Sequence, residues 1–93
     1  MITSGGVMFM ATIIKAWSKG SVSIAVESGK DDMNREGTHV HVYKNGRRTE
    51  SRIPGRNKGL DNKDYYTAET LYDENLYEID KYCTDVKNGK YDS

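Results

Sequence analysis

The stretch that decides the fold is residues 38–54, which read THVHVYKNGRRTESRIP. Apolar and polar side chains alternate before Asn45-Gly46, and after it Thr49 and Ser51 alternate with charged side chains, as expected of strands with one buried face. Asn-Gly between two such runs favours a type I′ turn, because that turn needs a positive φ at both central residues. The stretch therefore predicts a β-hairpin, and its second strand ends at Pro54, which cannot donate to a sheet ladder.

Two further strands are predicted before this hairpin. Residues 12–17 are rich in β-branched and aromatic side chains, which favour strands. Residues 21–27 alternate, with Val22, Ile24 and Val26 on one face. Four strands, joined by two turns and by a solvated loop over residues 28–37, indicate an antiparallel sheet.

A helix is predicted after the hairpin, because apolar side chains recur three to five residues apart over residues 64–88. A break near Asp73 would divide it into two, and Gly89 is placed to cap its end. The chain is therefore predicted to be an α+β domain, a three- to four-stranded antiparallel sheet with a C-terminal helix packed on one face.

The length of 93 residues fits a single domain. We expect residues 1–9 to be a disordered or non-native extension, 10–89 the domain and 90–93 a tail, with Met1, Met8 and Met10 all open as the first residue. The sequence shows neither a secretory leader nor an apolar run of about 20 residues, so a cytoplasmic protein without membrane contact is expected. One cysteine excludes an intramolecular disulfide framework.

The net charge of zero conceals two oppositely charged segments. Residues 44–63 carry seven cations against two anions, and residues 64–88 carry seven anions against two cations. A basic hairpin and loop is typical of surfaces that bind phosphate, and an acidic helix is typical of surfaces that bind basic partners. The plainer alternative is that both segments are solvated faces. The predicted phosphate- or nucleic-acid-binding residues are Lys44, Arg47, Arg48, Arg52, Arg56 and Lys58, and the predicted partner-binding residues are Tyr43, Glu74, Glu78 and Asp85.

The two-residue turn also predicts which side chains face each other across the hairpin. It pairs His41 with Glu50, Tyr43 with Arg48 and His39 with Arg52, all on one face. A histidine and a carboxylate in contact can act as an acid–base pair, and the arginines can hold a phosphate. His39, His41 and Glu50 are therefore candidate catalytic residues. The alternative is an ordinary polar sheet face. Two histidines do not complete a metal site, so no metal or cofactor is predicted.

The segment His39-Val40-His41-Val42 before the Asn-Gly turn resembles a small bacterial family of unknown function whose members carry Pro-Pro-His-x-His-Val before a glycine turn. Met10-Ala11-Thr12-Ile13 is similar to the Met-Pro-Thr-Ile with which its members begin, and Glu74-Asn75-Leu76 lies in the matching helix. Gly37-Thr38 stands where the family has Pro-Pro. The resemblance implies a setting like that of toxin–antitoxin gene pairs.

Charge segregation without a complete catalytic motif favours binding over catalysis. The leading hypothesis is a small cytoplasmic binding or regulatory protein of a mobile element or toxin–antitoxin-like pair, with a protein or nucleic-acid partner. The alternatives are a metal-independent ribonuclease toxin and a phage-type inhibitor of a host defence nuclease. An exposed edge strand would also allow a homodimer.

Overall fold

The protein is described from a computed structural model, which covers residues 12–28 and 39–91. The expected extension over residues 1–9 lies outside the described residues. Four strands form one antiparallel sheet in chain order, and they are β1 (Thr12–Lys19), β2 (Val22–Ser28), β3 (Val40–Lys44) and β4 (Arg47–Ile53). The α+β class is confirmed.

The predicted Asn-Gly turn joins β3 to β4. Asn45 has φ 52° and Gly46 has φ 78°, so both central residues adopt the left-handed conformation that a type I′ turn requires. Gly20, with φ 62°, makes the equally short connection between β1 and β2. Local turn chemistry therefore sets both tight hairpins.

Two helices follow the sheet, α1 (Asn62–Glu74) and α2 (Leu76–Lys87), so the predicted break falls at Asn75. The Asn75 side-chain amide donates to the Leu71 carbonyl at 2.8 Å and satisfies one of the last acceptors of α1. At the end of α2, Gly89 donates to Val86 and the Lys90 amide donates to Asp85, which is a Schellman cap. Within residues 12–28 and 39–91, no helix is long and apolar enough to cross a membrane.

Both helices pack on one face of the sheet. The alternating apolar residues of β2 and β3 meet the apolar stripes of α1 and α2, and Trp17 contacts the Tyr82 ring edge-on at 6.3 Å. The other face of the sheet is left to the polar residues of β2, β3 and β4. The buried apolar core consists of Val22, Ile24, Val26, Val40, Val42, Ile53, Ala68, Leu71, Ile79, Cys83 and Val86.

Candidate functional site

The pairing of β3 with β4 begins as predicted and then shifts. Tyr43 lies opposite Arg48, but His41 lies opposite Arg52, so the predicted pairs His41–Glu50 and His39–Arg52 are wrong. The cause is an irregularity in which three residues of β4, 49–51, face a single residue of β3. The hydroxyl of Thr49 donates to the Val42 carbonyl at 2.7 Å and so satisfies an acceptor inside this irregularity.

The shift moves Glu50 away from the partner predicted for it. Its carboxylate lies 3.1 Å from the Lys58 ammonium, and its side chain is 75% exposed. Exposed ion pairs of this kind contribute about 0.2–1 kcal/mol. In the ion pairs of the described residues, a different carboxylate contacts His41.

That carboxylate is Glu27, near the end of β2, whose side chain is only 1% exposed. The Arg48 guanidinium donates to it from Nη2 at 2.9 Å and from Nε at 3.2 Å. The Tyr43 hydroxyl donates a hydrogen bond to it, and His41 Nε2 lies 3.5 Å from its Oε1. A buried carboxylate is tolerated where it has such partners. We call Glu27, His41, Tyr43 and Arg48 the carboxylate cluster.

Tyr43 is held in its neutral form by this arrangement. Burial, together with the hydrogen bond to Glu27 and the charge of its carboxylate, raises the pKa of Tyr43 to about 12. The tyrosine was predicted to bind a partner; the structure shows that its hydroxyl already binds Glu27 inside the protein.

The two histidines lie side by side at the edge of the cluster. Their ring centroids are 5.2 Å apart and the rings are nearly perpendicular. Arg48 Nη2 is 2.9 Å from Nδ1 of His41 and 3.1 Å from its Nε2. The lone pair and the N–H of an imidazole lie in the plane of the ring and point away from each other. A nitrogen this close to both ring nitrogens therefore lies over the face of the ring. Arg48 therefore bridges the buried carboxylate and the imidazole.

An open cleft of about 690 Å³ lies beside the carboxylate cluster, bounded by β4 and the loop that follows it. Four cations line it against one acidic residue, Glu50. We call it the basic cleft, and its lining side chains include His41, Arg48, Arg52, Arg56 and Lys58.

The loop that carries two of these cations is held by short polar side chains. The buried Ser51 hydroxyl accepts from the Lys58 amide at 2.7 Å. The Asn57 side chain accepts from the Leu60 amide at 2.9 Å and donates to the Leu60 carbonyl at 2.6 Å. These bonds replace a regular backbone turn and fix Arg56 and Lys58 on the wall of the cleft.

Four of the six predicted phosphate-binding residues line this cleft: Arg48, Arg52, Arg56 and Lys58. Lys44 and Arg47 are not among its lining residues. Lys44 instead binds Asp64 at 2.9 Å and the Ser21 hydroxyl at 2.8 Å, which ties the hairpin to the start of α1.

The predicted acidic partner-binding residues lie on the helices. Glu74, at the end of α1, and Glu78, in the first turn of α2, are exposed. Asp85 is half-buried and lies 3.5 Å from the Lys90 ammonium. These three residues do not line the basic cleft.

Comparisons of the chain with models of protein families, with curated proteins and with solved structures return no match. Within the part of the chain that the structure describes, no group of three or more His, Cys, Asp or Glu side chains is arranged to hold a metal ion.

Proposed function

We propose that the protein binds nucleic acid through phosphate groups held in the basic cleft. The observation that carries this proposal is the convergence of Arg48, Arg52, Arg56 and Lys58 on one concave surface. Guanidinium groups match phosphate geometry because they donate two parallel hydrogen bonds. Such contacts supply most of the affinity for nucleic acid when no base is read.

The cleft cations differ in how far internal carboxylates already neutralise them. Arg48 is paired with Glu27, and Lys58 is paired with Glu50. The ion pairs among residues 12–28 and 39–91 involve neither Arg52 nor Arg56. We therefore expect Arg52 and Arg56 to make the strongest phosphate contacts, with Arg48 as a fixed third donor.

The test is fluorescence anisotropy of a labelled RNA 12-mer over a range of salt concentrations. The site variant is Arg52→Gln/Arg56→Gln, and the control is Lys81→Gln/Lys87→Gln, which removes the same charge from exposed positions of α2. Each lost phosphate contact reduces the slope of log affinity against log salt by about 0.7 for a single strand. The slope should fall by about 1.4 in the site variant. The affinity should fall roughly tenfold, because each contact of an exposed arginine with a phosphate contributes up to about 1 kcal/mol.

The control variant should bind as the wild type does. No binding by the wild type at low salt would refute the proposal. An equal loss in both double variants would also refute it, because that result would mean that net charge, and not the cleft, determines affinity.

The biological setting that we propose is a regulatory protein of a mobile element or toxin–antitoxin-like pair. The support for it is the family resemblance of the His39–Val42 strand together with this basic cleft. Growth of a bacterial host on induction tests it, with the cleft variant as the comparison. Growth that is identical for the wild type, the cleft variant and an empty vector would count against a regulatory role in such a host.

A metal-independent ribonuclease is the second candidate, and the adjacent rings of His39 and His41 beside Arg48 favour it. In this version Glu27, rather than Glu50, is the carboxylate that contacts His41. RNA cleavage should then occur with chelator present and be abolished in His39→Ala/His41→Ala.

The hypothesis of a phage-type inhibitor of a host defence nuclease predicts instead that reversing Glu74, Glu78 and Asp85 to Lys abolishes binding to a basic nuclease.

A further inference from the structure

A second groove lies on the other side of the turn that closes the basic cleft. Its volume is about 420 Å³, and it runs between this turn and the exposed side of α1. Gly55 lines both the groove and the basic cleft, so the two are separated only by the turn at residues 54–55. We call it the tyrosine groove, and its lining residues include Pro54, Tyr65, Tyr66, Glu69, Tyr72 and Asp73.

The tyrosine rings of the groove differ in how accessible they are to a ligand. The Tyr65 hydroxyl donates to the Arg52 carbonyl at 3.0 Å, which fixes that ring against β4. Tyr72 is half-buried and packs against the core. Tyr66 is 70% exposed. An exposed aromatic ring beside two ordered rings is suited to stacking against a flat ligand.

The charge of the groove excludes phosphate as its ligand. Glu69 and Asp73 are exposed carboxylates on its α1 wall. They repel a phosphate, and they accept hydrogen bonds from N–H groups. A flat ligand with N–H donors and no negative charge therefore fits the tyrosine groove, whereas phosphate fits the basic cleft next to it.

We infer that the tyrosine groove holds a nucleobase of a single-stranded nucleic acid whose phosphates lie in the basic cleft, with guanine preferred. This inference rests on the proposed function. One strand that crosses the turn at Gly55 would place a phosphate on the basic side and an unpaired base on the tyrosine side. Guanine is the base whose N1–H and amino group offer two parallel donors to one carboxylate. A duplex is excluded because its bases are stacked and paired.

Close packing at the turn supports this division. A Cβ atom on Gly55 would lie 2.9 Å from the Arg52 carbonyl oxygen, so a side chain does not fit there without a shift. Glycine therefore lets the turn pack directly on Arg52, a residue that lines the basic cleft, so only a thin wall of backbone lies between the cleft and the groove.

The experiment compares two labelled RNA 8-mers that differ only at a central position, which carries either guanosine or an abasic ribose. Wild type is measured beside Tyr66→Ala and beside the control Tyr77→Ala, which removes an 88% exposed ring of α2 outside the groove. Stacking of one base on an aromatic side chain corresponds to about 5- to 150-fold in affinity. We expect the wild type and Tyr77→Ala to bind the guanosine RNA at least about 5-fold more tightly than the abasic RNA, and Tyr66→Ala to bind both RNAs equally.

Equal binding of both RNAs by the wild type would overturn the inference and leave the proposed function standing. Failure of the wild type to bind either RNA would refute the proposed function itself. A preference for guanosine that survives in Tyr66→Ala would also overturn the inference. So would displacement of the guanosine RNA from the wild type by an oligo-arginine peptide that does not bind Tyr66→Ala, because the groove would then be a site for basic protein segments.

Discussion

The carboxylate cluster leads to a prediction whose sign distinguishes two roles of Glu27. Glu27 either holds Arg48 in position or contributes only its negative charge. Glu27→Gln removes a negative charge beside the basic cleft, so a cleft that acts only through net charge would bind nucleic acid more tightly. If Glu27 instead holds Arg48 in place for phosphate, binding becomes weaker. The side chain of Glu27 is 1% exposed and that of Arg48 is 49% exposed. The substitution therefore affects the hold on Arg48 more than it affects the charge that a ligand in the cleft can contact.

The size of the effect follows from two opposed terms. Freeing an arginine side chain costs up to about 2 kcal/mol on rebinding, and about half of that is expected for a half-exposed residue. Removing one charge about 10 Å from a phosphate in a water-like medium contributes roughly 0.4 kcal/mol in favour of binding. The difference is a weakening of roughly threefold. The free energy of unfolding should also fall by about 2 kcal/mol, because hydrogen bonds to a charged acceptor contribute about 1.5–3 kcal/mol.

The assay is anisotropy with the RNA 12-mer at fixed salt, combined with urea unfolding to establish that each variant is folded. Glu50→Gln is the matched control, because Glu50 lines the basic cleft but does not anchor Arg48. It should bind about twofold more tightly, as expected from roughly 0.4 kcal/mol of removed repulsion. If folded Glu27→Gln also binds more tightly than the wild type, Glu27 does not position Arg48 and the reasoning is refuted.

Three further substitutions test the structure around the site. Tyr43→Phe should make the unfolding free energy fall less steeply above pH 10. The pKa of Tyr43 is raised to about 12 in the folded state, which favours its neutral form there. Its contribution to stability is therefore complete below the unfolded-state pKa near 10 and is lost as the pH rises towards 12. Urea unfolding at pH 8, 10 and 11 measures this, and an unchanged profile would contradict it. Ser51→Ala should cost about 1–3 kcal/mol, because the Lys58 amide loses its buried acceptor, and amide exchange at Lys58 should speed up; a thermal midpoint equal to that of the wild type would count against it. Gly46→Ala should cost about 1 kcal/mol, because φ of 78° is unfavourable for alanine, and chemical denaturation that shows no loss would exclude the type I′ turn.

The sheet and its tight turns were predictable because their signals are local. Alternation in residues 21–27 and 38–44 marks the buried face, and Asn45-Gly46 specifies its own turn. The apolar period likewise predicted the helical segment, and the open break near Asp73 is found at Asn75. Each of these features depends on a few neighbouring residues, so the sequence contains the information needed.

The site was predicted only in part, because its geometry depends on contacts between strands. Four basic residues of the hairpin and loop were identified from charge alone. The irregularity opposite Val42 was not predicted, because a regular register was assumed along the whole hairpin. The alternation of residues 21–27 places Glu27 on the polar face of β2 and does not distinguish it from its polar neighbours there. Its position, level with the tyrosine and arginine of the neighbouring strands, becomes visible only when β2, β3 and β4 are assembled.

The irregularity in β1 affects how the molecule behaves beside other copies of itself. In its pairing with β2, the register shifts between Ile13 and Lys15, so Ile14 is an extra residue on the outer strand of the described sheet. A bulge bends and twists the outer edge, and Lys15 and Lys19 add charge to it. A flat, uncharged edge is a template for fibre growth, and this edge is neither flat nor uncharged. A homodimer formed through β1, one of the two edge strands, would therefore need a partner strand that matches the bulge and compensates the lysines, which makes indiscriminate strand addition unfavourable.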